Sequence, residues 1–129
     1  MNRPFTLSGR LKSFAYAFKG LGFMLRSQHN AWLHLTATVV VVAAGFVLKV
    51  RPDGWRWLIC AILLVWVAET FNTAIEYVCD VVSPGHSEAV KHAKDIAAGA
   101  VLLCAIGAIL IGAITFWPYA AQVLPDWRA

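Results

Sequence analysis

LLVWVAETFNTAIEYVCDVVSPG, residues 63–85, puts a contradiction into a single helix. The twelve residues from Trp57 to Ala68 carry no charge, yet the next turns hold Glu69, Asn72, Glu76 and Asp80. At about 100° per residue, Glu69, Asn72, Thr73, Glu76 and Asp80 fall within an arc of about 100°, so the polar groups share one face. Counted from Trp57, Glu69 lies ~18 Å along the axis and Glu76 ~28 Å. If the segment crosses a bilayer, Glu76 meets the interface and Glu69 sits roughly 10 Å beneath it. A carboxylate at that depth costs on the order of 2.5–3.5 kcal/mol on insertion scales. It is tolerated when it is protonated, paired with a cation, or lining a polar site between helices, and such acids mark function more often than architecture. The plain alternative is a structural hydrogen bond to a neighbouring helix.

The rest of the chain supports the bilayer. Of 129 residues, 60% are hydrophobic and only 14% charged, too apolar for an ordinary small soluble domain. Ile96 to Trp117 is a run of 22 residues without a charge, long enough to cross the ~30 Å hydrocarbon layer. Residues 31–48 are uncharged with His34 neutral, and 57–79 are uncharged except for Glu69 and Glu76. The pattern predicts an all-α membrane protein of one domain over 1–129, with spans at about 31–50, 55–79 and 95–117.

An amphipathic helix over 9–27 precedes the spans. Leu11, Phe14, Ala15, Phe18, Leu21, Gly22 and Leu25 form one stripe, flanked by Lys12, Lys19 and Arg26 at seven-residue steps. That suits a helix lying on an anionic membrane surface. Basic residues interrupt any continuous apolar core here, so the segment is not expected to be a signal peptide. Pro52 and Gly54 predict a tight turn between the first two spans, and Ser83, Pro84 and Gly85 predict a break before the third. Cys60, Cys79 and Cys104 read as small buried apolar residues. Small residues at Ala100, Cys104, Ala108 and Gly112, four apart, favour close helix approach and self-association.

Seven Lys and Arg residues lie on the side shared by the N-terminus and the 80–94 loop, against four on the other, which predicts a cytoplasmic N-terminus. The soluble kinase elements, a GxxxxGK[ST] phosphate loop and the HRD and DFG motifs, do not occur. His29, His34, His86 and His92 lack zinc-site spacing and read as solvent or interface residues. Nothing in the chain suggests a nucleic-acid partner.

Across the polar loop, KHAKDIAAGAVLL (91–103) opens the third span with Lys94 and Asp95 facing the acid cluster. A lysine there can meet phosphate, and a carboxylate there can fix the lysine or a metal-bound water. ETFNTAIEYVCD followed by AKDIAAGAVLL, with SFAYAFKGL (13–21) on the surface helix, closely resembles the prokaryotic diacylglycerol kinase family, which includes undecaprenol kinases. The likeness covers nearly all of the chain. It implies a homotrimer in the bacterial inner membrane that moves the γ-phosphoryl group of ATP to a membrane lipid alcohol with Mg2+. It also implies roles: Glu69 as general base supported by Asn72, Glu76 and Gln28 at the metal, and Tyr16, Glu76, Asp80, Lys94, Asp95, Arg10 and His86 on the nucleotide side. Lys19 and Ala98, with Glu69, fall beside the lipid substrate.

The chain departs from the family pattern at several of these positions. Gln28 stands where the family usually has a glutamate, Gly85 and His86 stand where a glutamate and an aromatic are common, Trp32 replaces a frequent basic residue, and Arg10 is one residue out of register. Asn30 and His34 look like the polyprenol-acting branch. Phosphoryl transfer needs positioning and charge neutralisation more than covalent chemistry. A base below the interface and a metal ligand at it match an alcohol arriving from lipid and ATP arriving from water. Two other readings fit the composition: a proton-relay helix bundle using Glu69 and Glu76, and a catalytically silent scaffold.

Overall fold

The computed structural model describes residues 6–85 and 87–123. Four helices follow one another: α1 (Leu7–Ser27), α2 (His29–Val47), α3 (Pro52–Val82) and α4 (Glu88–Val123). The described residues contain no strand. α2, α3 and α4 are each long and apolar enough to span a membrane.

α1 starts two residues before the expected position because Thr6 caps it, its Oγ1 accepting from the Gly9 N–H at 3.2 Å. The apolar stripe is left open: Leu11, Phe14, Phe18 and Leu21 are exposed. Only the C-terminal end packs on protein. Met24 is buried and takes the Thr70 hydroxyl on its sulfur at 3.4 Å, while the rings of Phe23 and Tyr77 lie 5.2 Å apart. These contacts seat α1 beside the same turns of α3 that carry the acids. One extended residue, Gln28 (φ −113°, ψ 121°), separates α1 from α2.

The connection from α2 to α3 is built differently from the expected turn. Pro52 opens α3 at a position where its missing N–H costs nothing and its fixed φ suits a helix, and Gly54 lies inside the first turn of α3. The chain reverses before them. Lys49 takes a left-handed φ of 52°, its N–H bonds to Phe46 O at 3.1 Å, and the Val50 N–H reaches Gly45 O at 2.9 Å. This is the Schellman termination, with lysine in the place glycine usually holds. Trp55 then folds back onto α2; a Cβ on Gly45 would come within 2.8 Å of its ring. The Arg51 N–H donates to the Tyr119 hydroxyl at 2.9 Å, tying the turn to the far end of α4.

α3 and α4 pack along their length, whereas α2 touches α3 more sparsely. The buried set is small: Leu58, Ala61 and Val65 of α3 with Ala97 and Val101 of α4 form most of it. α4 runs beyond the expected 95–117 at both ends and continues through Pro118. The three cysteines are free, and Cys60 is exposed rather than buried, since its side of α3 faces away from the other helices.

Candidate functional site

Glu69, Asn72 and Thr73 are the buried polar residues of α3, and Glu69 is only 1% exposed. Placing them there follows from the 3.6-residue repeat: Leu58, Ala61 and Val65 fix the inward stripe, and the next turns of that stripe bring the polar groups inward. Four buried side-chain atoms have no hydrogen-bond partner among the described residues: both Glu69 oxygens, Asn72 Oδ1 and Thr73 Oγ1. A buried polar group left in this way costs about 1–3 kcal/mol, and more when charged. The cluster is thus a set of buried polar atoms without hydrogen-bond partners among the described residues rather than a helix-to-helix polar clasp.

Glu76, two turns further, is half-buried and fully engaged. Its Oε1 accepts from Asn72 Nδ2 at 3.2 Å and its Oε2 from Gln28 Nε2 at 3.1 Å. The second bond crosses from the α1–α2 joint to α3. Asn72 therefore holds Glu76 with its nitrogen, while its buried oxygen has no hydrogen-bond partner among the described residues. Beyond Glu76, Asp80 pairs with Lys94 across the break between α3 and α4. Asp80, Lys94 and Asp95 line one open pocket of about 470 Å³ with Ser83, Gly85 and Lys91. The predicted base, metal and nucleotide residues of α3 and α4 are thus stacked along one edge of the molecule.

The described residues of α1 do not line that pocket. Tyr16, Arg10 and Lys19 are exposed, and Lys19 lines a shallow groove of α1 itself with Phe18, Phe23 and Arg26. Ala98 is exposed on α4. His86 lies outside the described residues.

No group of three or more His, Cys, Asp or Glu side chains able to hold a metal occurs among the described residues. A magnesium ion does not need one, because it keeps several waters and is commonly held by one or two carboxylates plus substrate phosphates. The half-buried Glu76 carboxylate, beside the polar pocket, supplies the hard oxygen donors that such an ion takes, so the residues fit it. Gln28 meets that carboxylate through its amide nitrogen, which leaves its own amide oxygen as the weaker, neutral donor.

One neighbour of the acids was assigned elsewhere from sequence. His34 of α2 sets its Nε2 3.7 Å from Glu69 Oε2, with its side chain 17% exposed. Its histidine neighbours in sequence gave no metal spacing, and its contact lies on another helix. The only local signal is a lone titratable group inside an otherwise apolar span.

The chain is similar to known proteins over most of its length. The family model for prokaryotic diacylglycerol kinase matches residues 15–116. A diacylglycerol kinase of Synechocystis sp. is 38% identical over 109 residues, covering 84% of this chain and 62% of the relative. An undecaprenol kinase of Bacillus subtilis is 34% identical over 107 residues, 83% of this chain and 87% of the relative. A diacylglycerol kinase of Escherichia coli is 26% identical over 120 residues, 88% of this chain and 98% of the relative. The chain thus spans under two thirds of the Synechocystis protein and most of the other two.

Proposed function

The chain belongs to the prokaryotic diacylglycerol kinase family, and from that membership and its site we propose that it is an ATP-dependent kinase of a membrane lipid alcohol, a diacylglycerol or undecaprenol. The observation that carries the reading is Glu69: a carboxylate 1% exposed, with neither oxygen hydrogen-bonded among the described residues, about three turns below Asp80 of the polar pocket. A carboxylate with no hydrogen bonds of its own keeps both oxygens open to accept the proton of an incoming hydroxyl.

In this reading Glu69 takes the proton of the lipid hydroxyl and Asn72, bridging toward Glu76, keeps the two acids in register. Glu76, steadied by Gln28 and Asn72, holds magnesium, which when bound neutralises phosphate charge. Asp80, Lys94 and Asp95 receive the nucleotide phosphates and their charge at the open pocket, joined by Tyr16, Arg10 and His86 from the surface helix and the loop. Lys19 and Ala98 border the lipid headgroup. The acids' end of α3 faces the cytoplasm together with the N-terminus, in a bacterial inner membrane, and three copies assemble to shield the intramembrane acids.

Transfer of labelled phosphate from ATP to a diacylglycerol and to undecaprenol tests the reading and separates the two acceptors. Glu69→Gln keeps the shape and removes the base, so transfer falls by roughly 10²–10⁴-fold. Wild-type turnover in that variant would remove Glu69 from the role.

A further inference from the structure

Resting on the assignment of Glu69 as proton acceptor, we propose that His34 is the second contact of the acceptor hydroxyl, its imidazole N–H donating to the oxygen whose proton Glu69 takes.

The spacing points to a third atom between the pair. At 3.7 Å, His34 Nε2 and Glu69 Oε2 are too far apart for a hydrogen bond of their own. One oxygen atom set about 2.8 Å from each fits across that gap with ordinary hydrogen-bond lengths. Both Glu69 oxygens are buried and without a hydrogen-bond partner among the described residues, so each keeps its acceptor capacity for an incoming hydroxyl.

The imidazole is also held in place. Trp66 of α3 meets it edge to face, with ring centroids 6.4 Å apart. The indole Nε1 donates to Thr38 Oγ1 at 3.0 Å, and that hydroxyl donates to the His34 carbonyl at 2.7 Å. A two-bond chain thus fixes the turn of α2 that carries His34 to the turn of α3 just below Glu69.

An apolar groove of about 480 Å³ runs between α2, α3 and α4, walled by Ala61, Val65, Ala105, Ala108 and Phe116. His34 stands at its polar end, and Val65 lies one helical turn from Glu69. We assign the groove to the chain of the acceptor lipid, because its lining is apolar except for His34 and Thr38, and His34 faces Glu69 beyond it. A hydroxyl delivered along it arrives between an N–H donor and a carboxylate. The acceptor O–H bond then breaks toward Glu69, the freed oxygen pair bonds the γ-phosphorus, and the bond from that phosphorus to the bridging oxygen breaks to release ADP. His34 steadies the negative charge that grows on the oxygen in between.

The full-length protein in mixed micelles, with undecaprenol and with a diacylglycerol, gives the test. His34→Ala is expected to lower kcat/KM for the lipid by about 10- to 100-fold, the range for losing a hydrogen bond to a charged group. KM for ATP and the melting temperature stay at wild-type values. His34→Gln, which keeps an N–H donor, recovers most of the loss. Wild-type kcat/KM in His34→Ala overturns the proposal, and so does an equal loss in both variants accompanied by a lower melting temperature or a raised KM for ATP. An inert Glu69→Gln beside a fully active His34→Ala defeats this inference alone, an active Glu69→Gln defeats the assignment of Glu69 as proton acceptor on which it rests, and no transfer to either lipid by the wild type defeats the kinase reading beneath both.

Discussion

Glu69 and Glu76 sit two turns apart on one helix and are treated oppositely by their neighbours. Glu76 has an amide donor on each oxygen, so its charge is welcomed. Glu69 has none among the described residues, so both its oxygens stay open to a hydroxyl brought to them. Gln28 is the residue where this balance is most open to change. Gln28→Glu replaces a donor 3.1 Å from Glu76 with a second carboxylate, which repels it until a cation comes between them. The variant should therefore melt lower than wild type without magnesium and show a larger magnesium-induced rise, read by thermal melts across a magnesium titration. Equal magnesium shifts in the two proteins would place the ion away from Gln28.

The acids and Asn72 were legible in the sequence because their meaning is periodic, residues three, four and seven apart sharing a helix face whatever the helix packs against, and Lys94 and Asp95 because they open the third span across the polar loop. His34 was not, because its partner is on a different helix and no periodicity within α2 points to it. The role of Gln28 was half legible. Its place beside Glu76 follows from the family pattern, but that it meets the carboxylate with its nitrogen is a matter of side-chain geometry.

Among the elements, the α2–α3 turn shows where composition misleads. Pro52 and Gly54 look like the turn, yet proline is best placed as the first residue of a helix, and the reversal falls to Lys49 in a conformation that L residues pay for. Lys49→Gly relieves that strain at a position where glycine is the preferred terminator. It should raise stability by about 0.5–1 kcal/mol, less than the full strain because glycine gains freedom in the unfolded chain. Reversible unfolding in detergent measures it, and a lower stability would show that Lys49 contributes a contact worth more than its strain. The helix boundaries were predictable only to a few residues, since apolar runs register what the bilayer covers and not where capping ends a helix. α4 reaches past its uncharged stretch at both ends for that reason.

At the scale of the whole molecule, most large apolar side chains point outward, from Leu33 and Val40 on α2 to Leu103 and Ile114 on α4. In water such a surface would aggregate; in a bilayer it is solvated, and helix association depends on close packing instead. α3 and α4 have that packing, and α2 leaves a groove. We expect chemical cross-linking in detergent to trap three copies, and Glu69→Gln to give the same ladder while losing transfer, because the substitution keeps side-chain volume. A variant that loses assembly together with activity would give the acid a structural role instead.

The single-residue joint at Gln28 makes the surface helix a lever. With no slack between α1 and α2, any tilt of α1 on the membrane plane must be absorbed by the backbone torsions of the one residue whose side chain steadies Glu76. Bilayer thickness, headgroup charge and curvature, which set how deeply α1 rests, are thereby geared to the carboxylate at the centre of the site.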